Sequence, residues 1–244
     1  MRTVNKADQV REKVRERILS GEFGRRGRLP SLRMLAGEYN ISQETINKVI
    51  QVLQAEGWIL SLGQRGIFVN MPRVRMPGLL KNPSDYVKEL GVEPVEEYLE
   101  PVQVVRPPVE IVEAMKLGEK GLAVRRLRKF GIPNVIFRMS ETFFPKPLVT
   151  DTMLKKMEDP HYDVLGDIKK ESGKFIQYVH EDVLARFPTE YEENTLKIVR
   201  TNPVIDIKRT SYTKDKKTVL MFNHTVLNAN HFLLSYDYPV TYWD

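Results

Sequence analysis

The 244-residue chain contains no cysteine. That absence removes disulfide staples, thiolate nucleophiles and cysteine-ligated zinc together, and it suits a reducing compartment, so a cytoplasmic location is expected. No stretch approaches the roughly 18 consecutive apolar residues of a membrane-crossing helix, and the segment Met1–Lys6 lacks the apolar core of a signal peptide. A membrane partner is therefore not expected. Histidine is scarce: His161, His180, His224 and His231. The run His180-Glu181-Asp182-Val183-Leu184 lacks the second histidine of a zinc-protease helix, and G-x-S-x-G, the P-loop and G-x-G-x-x-G are all missing. On a strand His180 and Glu181 face opposite sides, so they are no acid/base pair. No catalytic residue, metal site or cofactor is expected, and the chain is not expected to be an enzyme.

What is present is an uneven charge. Residues 1–78 hold 14 Lys/Arg against 7 Asp/Glu, whereas the remaining 166 hold 24 against 25. A basic front and a neutral rear suggest one domain that meets a polyphosphate and one that does not. The front starts with a helix from about Lys6 to Ser20, with Val10, Val14 and Ile18 four apart and arginines on its other faces, some free to touch phosphate. A basic loop follows, Gly24 to Arg28. Leu32, Leu35, Ala36 and Tyr39 then take the spacing of one buried helical face, behind Ser31 as N-cap. After a turn at Asn40-Ile41, Ser42 caps a second helix whose seam is Ile46, Val49, Ile50 and Leu53, closed by Gly57. Ile59-Leu60 and Ile67-Phe68-Val69 form a hairpin around Gly63-Gln64-Arg65-Gly66, a tip able to approach another backbone closely.

Helix, turn, helix and basic-tipped hairpin make a winged helix-turn-helix. Gln43, Glu44, Asn47, Lys48 and Gln51 point away from the apolar seam, with Thr45 at its boundary. Amides, a hydroxyl and a lysine at the start of such a helix suit base edges and phosphates of the major groove. A solvated helix face would look the same in isolation. Turn, wing and charge together favour double-stranded DNA as partner.

Residues 72–90 break the pattern. Pro72, Pro77 and Pro83 punctuate a basic linker, with a short helix expected at Asp85–Leu90. This linker is expected to be the sole covalent path between domains of residues 1–71 and 91–244. In the rear, Val102–Val105 reads as a strand and Pro107–Leu117 as a helix. Leu122–Phe130 and Val135–Phe144 form a hairpin, and two helical segments follow at Thr150–Met157 and Tyr162–Ser172. Phe175–Ala185 is a strand, Pro188–Leu196 a helix, Pro203–Thr213 and Thr218–Leu227 a second hairpin, and Phe232–Tyr238 a last strand. Hairpin-joined strands with helices between argue α+β with an antiparallel sheet.

The front resembles the GntR family of bacterial transcription regulators. The matching residues are Leu29-Pro30-Ser31 with Arg33, Leu35 and Ala36; Ile41-Ser42 with Thr45-Ile46; Leu53 with Glu56-Gly57; and Gly63, Gly66 and Phe68-Val69. The resemblance implies DNA contacts from Arg33, Ser42, Gln43, Thr45, Asn47 and the wing tip Gly63, Gln64, Arg65 and Gly66. Gln43 and Asn47 stand where the family often has arginine, and Leu32 where it has glutamate. The rear resembles the UTRA domain of the HutC branch, an effector-binding module whose fold is like chorismate lyase. It matches at Pro107 through Leu117-Gly118 with Gly121, at Arg126-Leu127-Arg128 with Gly131-x-Pro133, at Tyr162-x-x-Leu165, and at Phe232-x-Leu234-x-Tyr236.

Arg126 and Arg128, two apart on a strand, share a side and can grip a carboxylate or phosphate. The alternative is that Arg125 and Arg128 are solvated edge charges. The resemblance places the pair in an effector cleft with Tyr162 and Tyr236, and puts Arg138 where many relatives carry glutamate. Pro160-His161 stands where phosphate-binding relatives often have a serine. The implied protein is a homodimeric repressor on a near-palindromic operator, released by a small-molecule effector. The alternative is a ligand-independent plasmid or conjugation-gene repressor whose rear domain only dimerises.

Overall fold

The N-terminal helices form where apolar spacing and caps coincide. A computed structural model describes residues 5–24, 27–70, 74–77, 93–133 and 135–235. Helix α1 (Lys6–Leu19) starts at Asn5, whose side chain accepts from the Ala7 amide. Helix α2 (Leu32–Tyr39) is capped by Ser31 and ends at Asn40, in left-handed conformation at φ 50°. Helix α3 (Gln43–Ala55) is capped by Ser42, whose Oγ accepts from the Thr45 amide at 3.1 Å. Val10, Val14 and Ile18 of α1 pack with Leu35, Ala36, Ile46, Val49, Ile50 and Leu53 in one core, closed by Ile59 and Val69. Strands β1 (Ile59–Ser61) and β2 (Ile67–Val69) pair antiparallel around a turn of 3₁₀ helix at Gly63–Arg65. This is the winged helix-turn-helix read from the sequence.

Two findings correct the reading of α1 and the linker. The α1 arginines are engaged within the protein. Arg17 holds Glu22, Glu38 and the Tyr39 hydroxyl, and Arg15 pairs with Glu12 at 2.9 Å. Inside the stretch read as linker lies a strand, β3 (Val74–Pro77); the helix expected at Asp85–Leu90 lies outside the described residues.

The rear sheet is antiparallel with six strands, in the order β4-β5-β6-β9-β8-β7. These are β4 (Val95–Val105), β5 (Ala123–Ile132), β6 (Val135–Pro145), β7 (Tyr178–Arg186), β8 (Val204–Tyr212) and β9 (Val219–Asn228). Strand β4 begins seven residues before the stretch read as strand, because Glu96, Glu97 and Glu100 break the apolar alternation while their backbone still pairs with β5. Helices α5 (Asp151–Lys156) and α6 (Val164–Ser172) cover one end of one face, packing Met153, Met157, Val164 and Ile168 on Val124, Phe144 and Leu220. Helices α4 (Val109–Ala114) and α7 (Glu190–Leu196) lie on the opposite face. There Ile111 packs with Phe143 and Phe222, and Leu196 with Leu127, Met139 and Val226.

The last strand, β10 (Phe232–Ser235), does not join this sheet. It pairs parallel with β3, Phe232 opposite Val74. The chain thus divides into Met1–Glu93 with Ala229–Asp244, and Pro94–Asn228. The linker is not the sole covalent path between the units, because the chain returns to the first unit after β9. Single-strand periodicity could not show this: an apolar run such as Phe232-Leu233-Leu234 says strand without naming its partner.

Candidate functional site

The first unit presents α3 outward. Gln43, Glu44, Asn47, Lys48 and Gln51 are exposed and Thr45 half-buried, opposite the buried seam. Ser42 Oγ also lies 2.8 Å from Thr45 Oγ1, so the two hydroxyls at the helix start are fixed relative to each other. Lys48 Nζ lies 2.8 Å from Glu44 Oε1, one helical turn away. That hydrogen bond, followed by the charge of Lys48, holds the Glu44 carboxyl below its ordinary range. Glu44 therefore offsets a cation on the face that would meet DNA. Arg33 on α2 and Gly63, Gln64 and Arg65 at the wing tip are exposed. Gly66 takes φ +101°, and a Cβ there would come within 2.7 Å of Arg28 Nε. Arg28 also bridges to Phe68 of β2. Arg28, read only as part of a basic loop, thus lies alongside the wing; the pairing is long-range and left no local sequence signal.

In the second unit the sheet register brings distant residues into rows. Arg126, Thr142, Asn223, Arg209 and Glu181 stand directly opposite one another across β5, β6, β9, β8 and β7. Arg128, Ser140 and Thr225 form the next row, and Phe130, Arg138 and Leu227 the one beyond. Directly opposed residues share a face, so Arg126, Arg128, Arg138 and Arg209 flank one polar floor. The floor is a closed ring. Asn223 Nδ2 donates to Ser140 Oγ and Thr142 Oγ1, both at 2.8 Å, and Thr225 Oγ1 donates to Asn223 Oδ1. Ser140 Oγ, 2.9 Å from Thr225 Oγ1, completes it as donor. All four residues are buried.

The arginines are less completely satisfied. Arg126, 2% exposed, donates to the carbonyls of Pro160 at 2.9 Å and Tyr162 at 3.2 Å. Arg128 pairs with Glu96 at 2.7 Å and also donates to the Pro160 carbonyl. Buried Nε atoms of Arg126, Arg128 and Arg138 have no hydrogen-bond partner. Burial, then the neighbouring Arg128, pushes the Arg126 guanidinium down. Burial pushes Arg138 down to about 10; Glu96 opposes this and Arg128 and Arg209 add to it. A guanidinium keeps its charge at neutral pH, so this face carries four cations, of which Arg128 is paired with Glu96 and Arg209 with Glu181.

Tyr162 turns its hydroxyl away from the arginines and donates to Asp167 at 2.6 Å; its backbone carbonyl is what meets Arg126. Tyr236 lies outside the described residues. Sequence reasoning found the arginine pair but not Ser140, Thr142, Asn223, Thr225, Arg209 or Glu96. The available signal was the same two-residue spacing, Ser140-x-Thr142 and Asn223-x-Thr225, repeated on strands whose pairing the sequence did not give. Arg125, weighed as a solvated edge charge, lies on the other face and is held by Glu100 and Glu141. Among the described residues there is no cluster of His, Asp and Glu suited to a metal ion, and no helix long and apolar enough to cross a membrane.

Comparisons with known proteins agree in both halves. The model of bacterial regulatory proteins of the gntR family matches residues 6–69, and that of the UTRA domain matches residues 89–232. The HTH-type transcriptional repressor NagR of Bacillus subtilis (strain 168) is 25% identical over 207 residues, 84% of this chain and 83% of that protein. The mannosyl-D-glycerate transport/metabolism system repressor MngR of Escherichia coli (strain K12) is 21% identical over 231 residues, 92% of each. The crystal structure of PhnF from Mycobacterium smegmatis shares the fold, with a TM-score of 0.62 at 15% identity over 95% of this chain and 100% of that one. The chain belongs to the gntR family of bacterial regulatory proteins and carries a UTRA domain: it is a DNA-binding transcription regulator with an effector-sensing C-terminal half.

Proposed function

We propose that this regulator is a homodimeric repressor. In this reading residues 1–71 bind a near-palindromic operator, and residues 91–228 hold an anionic effector that releases it. Gln43, Thr45 and Asn47 read base edges, Ser42 and Lys48 bind backbone, and Arg33, Arg65 and Arg28 hold flanking phosphates or the minor groove. The effector's carboxylate or phosphate sits against Arg126, Arg128 and Arg138, over the Ser140–Asn223 floor. The observation that carries this reading is the set of buried Nε donors without partners. An unpaired buried donor costs about 1–3 kcal/mol, and an anion is the ligand that recovers it. Dimerisation is supported by β7, an edge strand whose Val183 and Leu184 stay exposed along with Phe187 and Tyr191 beyond it. The names of NagR and MngR, both repressors, agree with the sign of the response.

One observation favours a second reading, in which the rear domain only dimerises. Arg126 and Arg128 already hold the Pro160 and Tyr162 carbonyls, and Arg128 already has Glu96. The test is a duplex selected from random sequence, followed by a panel of phosphates and carboxylates. The effector reading expects a near-palindromic consensus and at least one anion that both frees the DNA and raises the melting temperature, as native-state binding must. A panel that does neither leaves the dimerisation reading standing.

A further inference from the structure

The first unit contains a buried polar junction that DNA reading does not use. Asn70, the residue after β2, is 3% exposed and His231 is 2% exposed. Asn70 Nδ2 donates to the Gly57 carbonyl at 2.7 Å and to His231 Nδ1 at 2.9 Å. The Asn70 amide donates to the Trp58 carbonyl at 2.9 Å. Asn230 Nδ2 reaches the Ala55 carbonyl at 3.4 Å, at the last residue of α3. Gly57 takes φ +76°, and a Cβ there would lie 2.1 Å from Asn230 Cβ. Recognition helix and wing thus end on the same two residues, Asn230 and His231.

Those residues follow directly from the sheet of the second unit. Strand β9 ends at Asn228, a 3₁₀ turn spans Ala229–His231, and β10 begins at Phe232, with no irregular residue between. Asn223 and Thr225, two members of the polar floor, lie on β9; so does Leu227, which stands opposite Arg138. Asn230 therefore stands two residues after the last residue of β9. Along the other connection, residues 78–94 separate β3 from β4.

We propose that the Ala229–His231 turn is a latch that carries the state of the effector sheet to the end of the recognition helix through Asn230, His231, Asn70 and Gly57. The input is the cleft of the preceding reading, and the latch rests on that reading for its ligand. A rigid helix of 13 residues spans about 20 Å, so a shift at Ala55 is delivered to Gln43 at the other end. In a dimer, a change in the spacing or tilt of two such helices breaks both half-site contacts together. The Asn70 side-chain nitrogen can only donate, so this contact uses His231 Nδ1 as its acceptor. Leucine at this position keeps the bulk and removes the acceptor.

The test uses the full chain and needs no ligand. Thr225→Val perturbs the floor with little change of volume, and Asn223→Asp perturbs it more strongly. Amide hydrogen exchange is read at Gly57, Trp58 and Asn70, with β5 amides as the control for an intact sheet. In the otherwise native chain, Asn223→Asp is expected to change exchange at those three amides roughly tenfold, the scale of a buried hydrogen bond or two. In a His231→Leu chain, or in the milder Asn230→Ala chain, the same floor substitution should leave them within about twofold of that chain's own baseline. Exchange at Trp58 and Asn70 that ignores both floor substitutions overturns the latch. So does exchange that responds equally with the junction removed, which would assign the route to the other connection. Titration with inorganic phosphate is a separate arm: no binding there removes the anionic-effector reading and leaves the exchange comparison unaffected.

Discussion

The two units place the polar residues proposed for recognition on opposite sides of the solvent boundary. In the first, the core is wholly apolar along α1 and α3, and Gln43, Asn47 and Lys48 stand outside it. Exposed, those groups are satisfied by water, so the proposed use of them for DNA recognition costs the fold little. In the second, Arg126, Ser140, Thr142, Asn223 and Thr225 lie inside the sheet, and the Nε atoms of three arginines go unpaired. If this face captures a small ligand, as proposed, its recognition groups lie in the interior, where each one lowers stability unless it is matched. Surface and stability are separable in the first unit and entangled in the second.

The largest effect that tests this contrast is Leu53→Ala. Leu53 is fully buried at the centre of the first core, and truncation there is expected to cost ~2–5 kcal/mol. Hydrogen exchange should show α1 and α3 losing protection while β8 and β9 keep theirs. Equal loss in both sets of strands and helices would show that the units do not hold their stability separately.

Next in size is a pair on the DNA side. Gln43→Ala should cost ~1–3 kcal/mol on the selected duplex and almost nothing on a scrambled one. Arg65→Ala should weaken both duplexes alike and lower the salt-dependence slope by about 1. Gln43→Ala should not shift the melting temperature, since its side chain is exposed. Equal weakening of both duplexes by Gln43→Ala would remove it from the base-reading face and turn attention to Asn47.

This contrast also explains how much was legible in the sequence. The first unit was readable because its signals are local: Ser31 and Ser42 cap helices within three residues, the Ile46–Leu53 seam repeats within one helix, and Gly57 stops it. The strands and helices of the second unit were legible too, from alternation and from capping residues such as Thr150 and Thr189. Its site was not, beyond the arginines two apart on β5. The floor joins Ser140 to Thr225 across 85 positions, and nothing near either residue announces the other. The register that unites them is set by the pairing of β6 with β9, a tertiary fact. For the same reason β10 was recognised as a strand and given to the wrong sheet.

The smallest effect expected separates function from stability within the effector sheet. Arg138 lies 5.2 Å from the Phe130 ring, its Nε has no partner, and two like-charged arginines stand nearby. Methionine fills a comparable volume without a donor or a charge. Removing a desolvated, under-compensated cation is expected to raise stability by about 1 kcal/mol, with the lost cation–π contact setting the upper limit. Glu96 keeps Arg128 as its partner at 2.7 Å, so no carboxylate is stranded. The same Arg138→Met change should weaken phosphate binding at least tenfold, because one of three guanidiniums around the anion is gone. Urea unfolding followed on the sheet gives the first quantity and calorimetric titration the second. A loss of stability would mean that Arg138 is held by partners that compensate its charge. The difference between the units would then be one of burial alone, without the energetic tension argued for the second.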